Sequence, residues 1–348
     1  MRRKYFYHYV AIACVVLYIY YFFGVSDYIY SKKFEKEFNY PLNRNIQPLV
    51  REVMLGRKPA VAPINIYPYR FLTNSRKCYT LEKLDLFIVV KTARSNFEKR
   101  NGIRQTYGQE NSIPGRIIRV LFFIGSDDLN SPVQERLDRE MAEFKDIIQM
   151  DFHDSYFNNT IKTMMSFRWL YEHCSNADYY LFTDDDMYIS VKNLLDYVND
   201  DAFTRLNVAG DRGDKDSVIL DNDTEKIILA GYVFNSSPQR FRSSKWHVTL
   251  DEYPYDRWPP YVTAGAYVVS NRCMRIMYVG SLFVKHFRFD DIYLGIVAKK
   301  VGLEPKHCPK FYFYKKKYSV DSYRDVIASH GYDDPEELIR VWNEQNAL

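Results

Sequence analysis

From residue 84 onward, apolar runs of strand length alternate with stretches whose apolar residues recur every three or four positions. "LDLFIVVKT" (84–92) reads as a buried strand, residues 94–107 as a helix and "IIRVLFFIG" (117–125) as a second strand. Ser131, Pro132 and Gln134 then supply a cap, a first-turn proline and a capping-box partner, and Val133, Leu137, Met141 and Phe144 mark the apolar face of the helix they start. "DIIQMDF" (146–152) is a third strand, residues 160–174 a third helix and "DYYLFT" (178–183) a fourth strand. This order predicts an α/β fold: a mostly parallel sheet flanked by helices, with ligands bound beyond the carboxyl ends of the strands.

The N-terminus has a different pattern. Residues 1–4 include three positive charges, and residues 5–25, "YFYHYVAIACVVLYIYYFFGV", form an apolar stretch in which His8 is the only readily protonated side chain. That length suits a transmembrane signal anchor with its charged tail in the cytosol, and its flanking aromatics suit the interfacial belts. A cleaved signal peptide is the competing reading, but the apolar run exceeds the usual 7–15 residues or so of such peptides. Residues 26–80 hold five of the 14 prolines and read as a stem, leaving residues 81–348 as the folded domain. A luminal address agrees with sequons at Asn158, Asn222 and Asn235. It also agrees with the four cysteines outside the anchor, Cys78, Cys174, Cys273 and Cys308, for which three pairings are open.

Composition narrows the function. A chain of 348 residues with 47% hydrophobic and 17% aromatic residues can build a substantial core, and 48 basic against 44 acidic residues give a net charge of +4, too balanced to mark a nucleic-acid binder. There is no glycine-rich phosphate loop of the dinucleotide or Walker type.

Candidate chemistry gathers where the fourth strand ends. "DYYLFTDDDMYIS" (178–190) passes from an apolar run into three consecutive carboxylates, Asp184, Asp185 and Asp186. Adjacent like charges call for solvation or a countercharge, and a divalent cation bridging a diphosphate would supply one. Arg100 and Arg104, spaced i, i+4 on one helix face, suit either a phosphate or a surface salt-bridge array. Asp290 and Asp291 open a helix that closes with Lys299, Lys300 and Gly302, and fit either a helix start or a general base for a sugar hydroxyl.

Six motifs in order then carry a resemblance: "RNGIRQTYG" (100–108), "DFHDSYFNNTIKT" (151–163), "TDDDMYI" (183–189), "KWHVTLDEYPYDRWPPYVTAGAYVVS" (245–270), "DDIYLGIVAKKVG" (290–302) and "SHGYDDPEELIRVWN" (329–343). From about Cys78 to Asn343 the chain resembles the β1,3-glycosyltransferases of glycosyltransferase family 31, the β1,3-galactosyltransferase-like group. The resemblance implies a GT-A fold, a UDP-sugar donor, Mn²⁺ (or Mg²⁺) at the acidic motif, inversion at the donor sugar, and Golgi residence as a type II membrane protein. Matched by position, Asp186 is the main metal carboxylate, with Asp184 and Asp185 supporting metal and ribose. Arg100, Arg104 and Lys162 line the nucleotide side, Asp291, preceded by Asp290, is the base, and His330 returns to the metal. Residues 258–267 match a loop shaping the acceptor and sugar pocket. The resemblance pairs Cys78 with Cys174, leaving Cys273 to pair with Cys308.

The implied activity is transfer of galactose from UDP-galactose to a glycan acceptor on glycoprotein or glycolipid at the Golgi membrane. The alternatives are transfer of N-acetylglucosamine or N-acetylgalactosamine, and an inactive relative acting as a binding protein or chaperone. A metal-dependent phosphohydrolase would also use clustered carboxylates but gives "WPPY" no role. Four departures from the family pattern stand out. Phe182 occupies a position that is Lys in many relatives, and Tyr107 one that is often Trp. Val262 and Val297 replace a correlated pair of cysteines, and Ala264 and Ala266 stand at frequent glycine positions, which would narrow the pocket.

Overall fold

The computed structural model describes residues 2–79, 83–200 and 226–347, so the Asn222 sequon lies outside the described residues. The chain divides into two compact units, residues 1–40 with 235–260, and residues 41–234 with 261–348.

The smaller unit contains the N-terminal helix α1 (Arg2–Phe22). Its window Tyr5–Phe22 has a mean hydropathy of 1.5 and none of it is buried, so by length and composition it is a candidate membrane span. Elsewhere in this unit Lys32 forms a β-bridge with Tyr255, and the buried Arg240 donates to the carbonyls of Val248, Tyr253 and Tyr255.

The larger unit is built on strands β1 (Leu84–Lys91), β2 (Ile118–Ser126), β3 (Ile147–His153), β4 (Ala177–Asp184), β5 (Met187–Ile189), β6 (Leu229–Phe234), β7 (Tyr261–Ser270), β8 (Lys306–His307), β9 (Phe311–Tyr312) and β10 (Ala328–His330). Its longer helices among the described residues are α2 (Gln47–Met54), α3 (Phe97–Arg104), α4 (Pro132–Phe144), α5 (Asn159–His173), α6 (Val191–Asn199), α7 (Asn271–Ser281), α8 (Asp290–Val301) and α9 (Pro335–Asn346). Seven strands form one sheet in the order β3-β2-β1-β4-β7-β6-β8, and β5-β10-β9 form a second. The first four strands of the large sheet are mutually parallel, as alternation predicts, whereas β7 runs antiparallel to both β4 and β6. The expected mixed, mostly parallel α/β sheet is therefore present.

Alternation along the strands sorts side chains between two layers. Leu86, Ile88 and Val90 of β1 and Tyr179 and Leu181 of β4 join a core with Leu194 and Val198 of α6 and Leu338 and Val341 of α9. Their neighbours turn the other way, where Phe87 meets Trp169 and Phe182 stacks between Phe167 and Tyr267 with ring centroids 4.4 and 5.0 Å away. Phe182 is thus part of this apolar layer.

Three expectations change. From Pro41 on, the stem is packed into the larger unit: Ile46, Leu49, Val50 and Tyr67 are buried, Leu72 donates to the Gln149 carbonyl and Arg168 donates to the carbonyls of Tyr67 and Tyr69. Most of the segment 258–267 is strand β7 rather than loop, and Ala266 is a core residue paired with Thr183 rather than a pocket wall. Cys78 and Cys174 form a disulfide, but Cys273 and Cys308 are both free and buried. Cys308 belongs to the core on the α6 and α9 side, whereas Cys273 lies in α7 on the face of Tyr267, so the sheet separates the two thiols. The disulfide closes a long loop, 96 residues in sequence separation, and Cys174→Ser is expected to lower unfolding free energy by about 2–4 kcal/mol. Denaturant unfolding of the oxidised proteins measures it.

Candidate active site

The carboxyl ends of β1 and β4 lie side by side, with Lys91 in register with Asp184. Since successive residues alternate in direction, three aspartates leaving β4 need not face one another. They are drawn to three different sets of partners.

Asp184 turns to the α5 and α8 side. Lys91 Nζ, almost fully buried, lies 3.1 Å from Asp184 Oδ1 and 2.8 Å from Asp290 Oδ2, and Thr163 Oγ1 donates to the same Asp290 oxygen at 2.9 Å. Burial works against the ammonium, but the two carboxylates outweigh it and hold its pKa above the ordinary lysine range. Asp290 is also buried, yet Lys91 and Thr163 keep its pKa below the usual carboxylate value. For Asp184, burial together with the charges of Asp290 and Asp186 prevails over Lys91 and pushes the carboxyl up to about 6.

Asp185 faces the opposite side. Thr92 Oγ1 and Asn96 Nδ2 donate to its Oδ2, the latter at 2.8 Å, and Lys99 Nζ lies 3.5 Å from Oδ1. Both oxygens are thereby committed to residues 92–99, the connection from β1 and the first turn of α3.

Asp186 meets the C-terminal segment. Strand β10 pairs antiparallel with β5, setting His330 opposite Met187. The backbone N–H groups of Gly331 and Tyr332 donate to the Asp186 carbonyl at 3.0 and 2.8 Å. Gly331 makes this turn at φ 93°, where a Cβ would also come within 2.9 Å of Lys315 Cβ, so no other residue fits well. His330 Nε2 lies 3.2 Å from Asp186 Oδ2, while Asp186 Oδ1 is buried without a hydrogen-bond partner. Burial tends to raise the Asp186 pKa, but His330 and Lys99 leave it lowered; the hydrogen bond to Asp186 raises that of His330 against burial.

Asp291 differs from its neighbour. It is half-buried at the start of α8, and its Oδ1 accepts the Ile292 backbone N–H at 2.7 Å. No side chain among the described residues hydrogen-bonds it. Burial, then the charge of Asp290, pushes its pKa up to about 7, the range in which a carboxylate removes a proton effectively.

The predicted cations are placed otherwise than expected. Arg100 is wholly buried; its guanidinium forks onto Glu140 at 2.9 and 2.6 Å and donates to the Ala93 and Arg94 carbonyls. Arg104 binds Glu140 and Asp146, both at 2.8 Å. Lys162 is buried between the Thr92 carbonyl and Asp154, each 2.8 Å away. Arg100 and Lys162 thus fix the segment after β1 through its backbone, and Arg104 anchors α3 to Asp146 just ahead of β3. None of the three presents a free guanidinium or ammonium to a phosphate.

Sequence reasoning missed Lys91, Thr92, Asn96, Lys99 and Thr163. A signal for Lys91 existed: it shares the face of Phe87 and Val89 and closes an apolar strand with a charge. The rest depend on contacts across the fold.

Among the described residues, no group of three or more His, Cys, Asp and Glu side chains is arranged to hold a metal ion. The acidic motif provides one donor, Asp186, and β10 a second, His330, and the unpartnered Asp186 oxygen suits a cation that takes its other ligands from elsewhere. Asp184, expected among the ligands, is joined to Lys91.

The profile of the Galactosyltransferase family matches residues 98–309. The chain is 37% identical to β-1,3-galactosyltransferase brn of Drosophila melanogaster, over 92% of this chain and 90% of that protein. It is 31% identical to human β-1,3-galactosyltransferase 1, over 82% and 81%. A lactosylceramide 1,3-N-acetyl-β-D-glucosaminyltransferase of Rattus norvegicus is 29% identical, over 99% and 86%. With the α8 carboxylates and the returning histidine brought to the acidic motif at the carboxyl end of β4, the chain belongs to the Galactosyltransferase family and is a β1,3-glycosyltransferase.

Proposed function

We propose that this enzyme is a Golgi type II membrane protein that transfers galactose from UDP-galactose, with inversion, to a sugar hydroxyl on a glycoprotein or glycolipid glycan. The observation that carries the reading is the contrast at the start of α8. Asp290 is consumed by Lys91 and Thr163, while Asp291 beside it is half-buried, has no side-chain hydrogen-bond partner among the described residues and is shifted to about 7. Asp291 takes the proton of the acceptor hydroxyl as the oxygen attacks C1 of the α-linked galactose. The bond from C1 to the diphosphate breaks on the opposite face, UDP leaves with the electron pair, and the new linkage is β.

Asp186 and His330 would hold Mn²⁺ (or Mg²⁺), whose carboxylate and imidazole donors favour Mn²⁺. When bound, the ion neutralises charge on the departing diphosphate. Asp185 keeps residues 92–99 in place through Thr92, Asn96 and Lys99, and Arg100 and Lys162 hold the same segment from beneath. His330→Ala is expected to raise the Mn²⁺ concentration for half-maximal activity by roughly tenfold or more without unfolding the protein. A metal titration of activity checks it, and an unchanged requirement would remove His330 from the site.

Galactose is preferred because the two most identical relatives cited are named as galactosyltransferases, although one relative is named for N-acetylglucosamine transfer. Supplying UDP-galactose, UDP-N-acetylglucosamine and UDP-N-acetylgalactosamine in turn, with Mn²⁺ and a panel of β-linked acceptors, decides between them. Turnover with UDP-galactose is expected; exclusive use of another donor would overturn the sugar assignment.

A further inference from the structure

Lys91 lies where four elements meet. It ends β1, contacts Asp184 at the end of β4 and Asp290 in the first turn of α8, and shares the Asp290 oxygen with Thr163 of α5. Its side chain is only 4% exposed. Two residues before Asp184 on the same strand face, Phe182 is stacked between two rings and offers no charge. Tyr267, whose ring stacks on Phe182, is buried with its hydroxyl unpartnered and adds none. The buried Asp290 carboxylate has no other cation within salt-bridge distance among the described residues.

Asp290 is bonded to Asp291 and Asp184 is two residues from Asp186, so the ammonium fixes the base and the Asp186 edge relative to each other. We propose that Lys91 is a positioning residue for transfer. It pins the first turn of α8 to the end of β4, and so sets the separation between the Asp291 carboxylate and the leaving diphosphate. The proposal rests on the reading of Asp291 as the base. Removing one partner of a buried ion pair leaves charge uncompensated, so losing Lys91 would drive the start of α8 away from β4. A displacement of about 1 Å between reacting groups costs about 10²-fold in rate.

The test uses the full chain in detergent and the variants Lys91→Met, Asp290→Asn and the double variant. Lys91→Met is expected to lower kcat about 10²-fold while UDP affinity, measured by calorimetry, stays within a few-fold. In the double variant no buried carboxylate is left unpaired at position 290, and kcat should recover at least about tenfold over Lys91→Met. A Lys91→Met protein with wild-type kcat per folded molecule and only a lower melting temperature would overturn the proposal. So would a double variant no better than the single. Should Lys91→Met not fold, Lys91→Arg keeps the charge but displaces it, and kcat must fall at unchanged UDP affinity; an unchanged kcat overturns the proposal. The base reading fails separately, if Asp291→Asn retains wild-type kcat whatever Lys91 does.

Discussion

Replacing Asp291 by Asn is expected to lower kcat by about 10² or more while UDP affinity stays within a few-fold. The substitution is nearly isosteric, and the amide oxygen can still accept the Ile292 N–H, so the start of α8 keeps its local hydrogen bond. What disappears is the capacity to take a proton. The pH profile of the wild-type enzyme should agree: the carboxyl is pushed up to about 7, so it is protonated and inert below that value and active above it. Activity should fall as pH drops through about 7, with no corresponding acid limb for Asp291→Asn. If the substitution chiefly lowers the melting temperature and activity per folded molecule survives, Asp291 is a helix-start residue and the proposed chemistry is wrong.

Asp186→Ala should reduce transfer by about 10³-fold or more, as loss of several kcal/mol of charge stabilisation at the diphosphate implies. The fold should tolerate the change, because Gly331 and Tyr332 bond the Asp186 backbone carbonyl, which alanine retains, rather than its side chain. UDP binding should weaken in parallel, and an excess of chelator should bring wild type to the same level. Full activity in excess chelator would remove the metal from the mechanism.

The sequence reading was strongest where periodicity and caps speak for themselves. The first four strands and the helices between them emerged from alternation and from the Ser131-Pro132 start, since each pattern is local. It failed where the outcome depended on partners distant in the chain. Arg100 and Arg104 share a helix face as expected, but nothing local shows that Glu140 and Asp146 lie against that face. The resemblance makes residues 258–267 a loop, whereas Tyr261–Ser270 forms strand β7, whose small residues Ala264, Gly265 and Ala266 give little strand signal of their own. Cys273 and Cys308 are left to each other once the resemblance pairs Cys78 with Cys174, but both are free, with a sheet between them. His330 came from the resemblance to the family, and the β5–β10 pairing now accounts for its proximity to Asp186.

The same limit explains the three aspartates. In sequence they form one acidic cluster; folded, they divide among Lys91, the segment 92–99 and His330. Asp186 keeps one buried oxygen without a hydrogen-bond partner.

The most direct test of the account is the linkage and anomeric configuration of the product made by the full-length enzyme from UDP-galactose, Mn²⁺ and a β-linked acceptor, determined by nuclear magnetic resonance. A β-galactosyl residue joined to the acceptor 3-hydroxyl is the predicted result. An α-linked product, or release of free galactose with no acceptor modified, would contradict it.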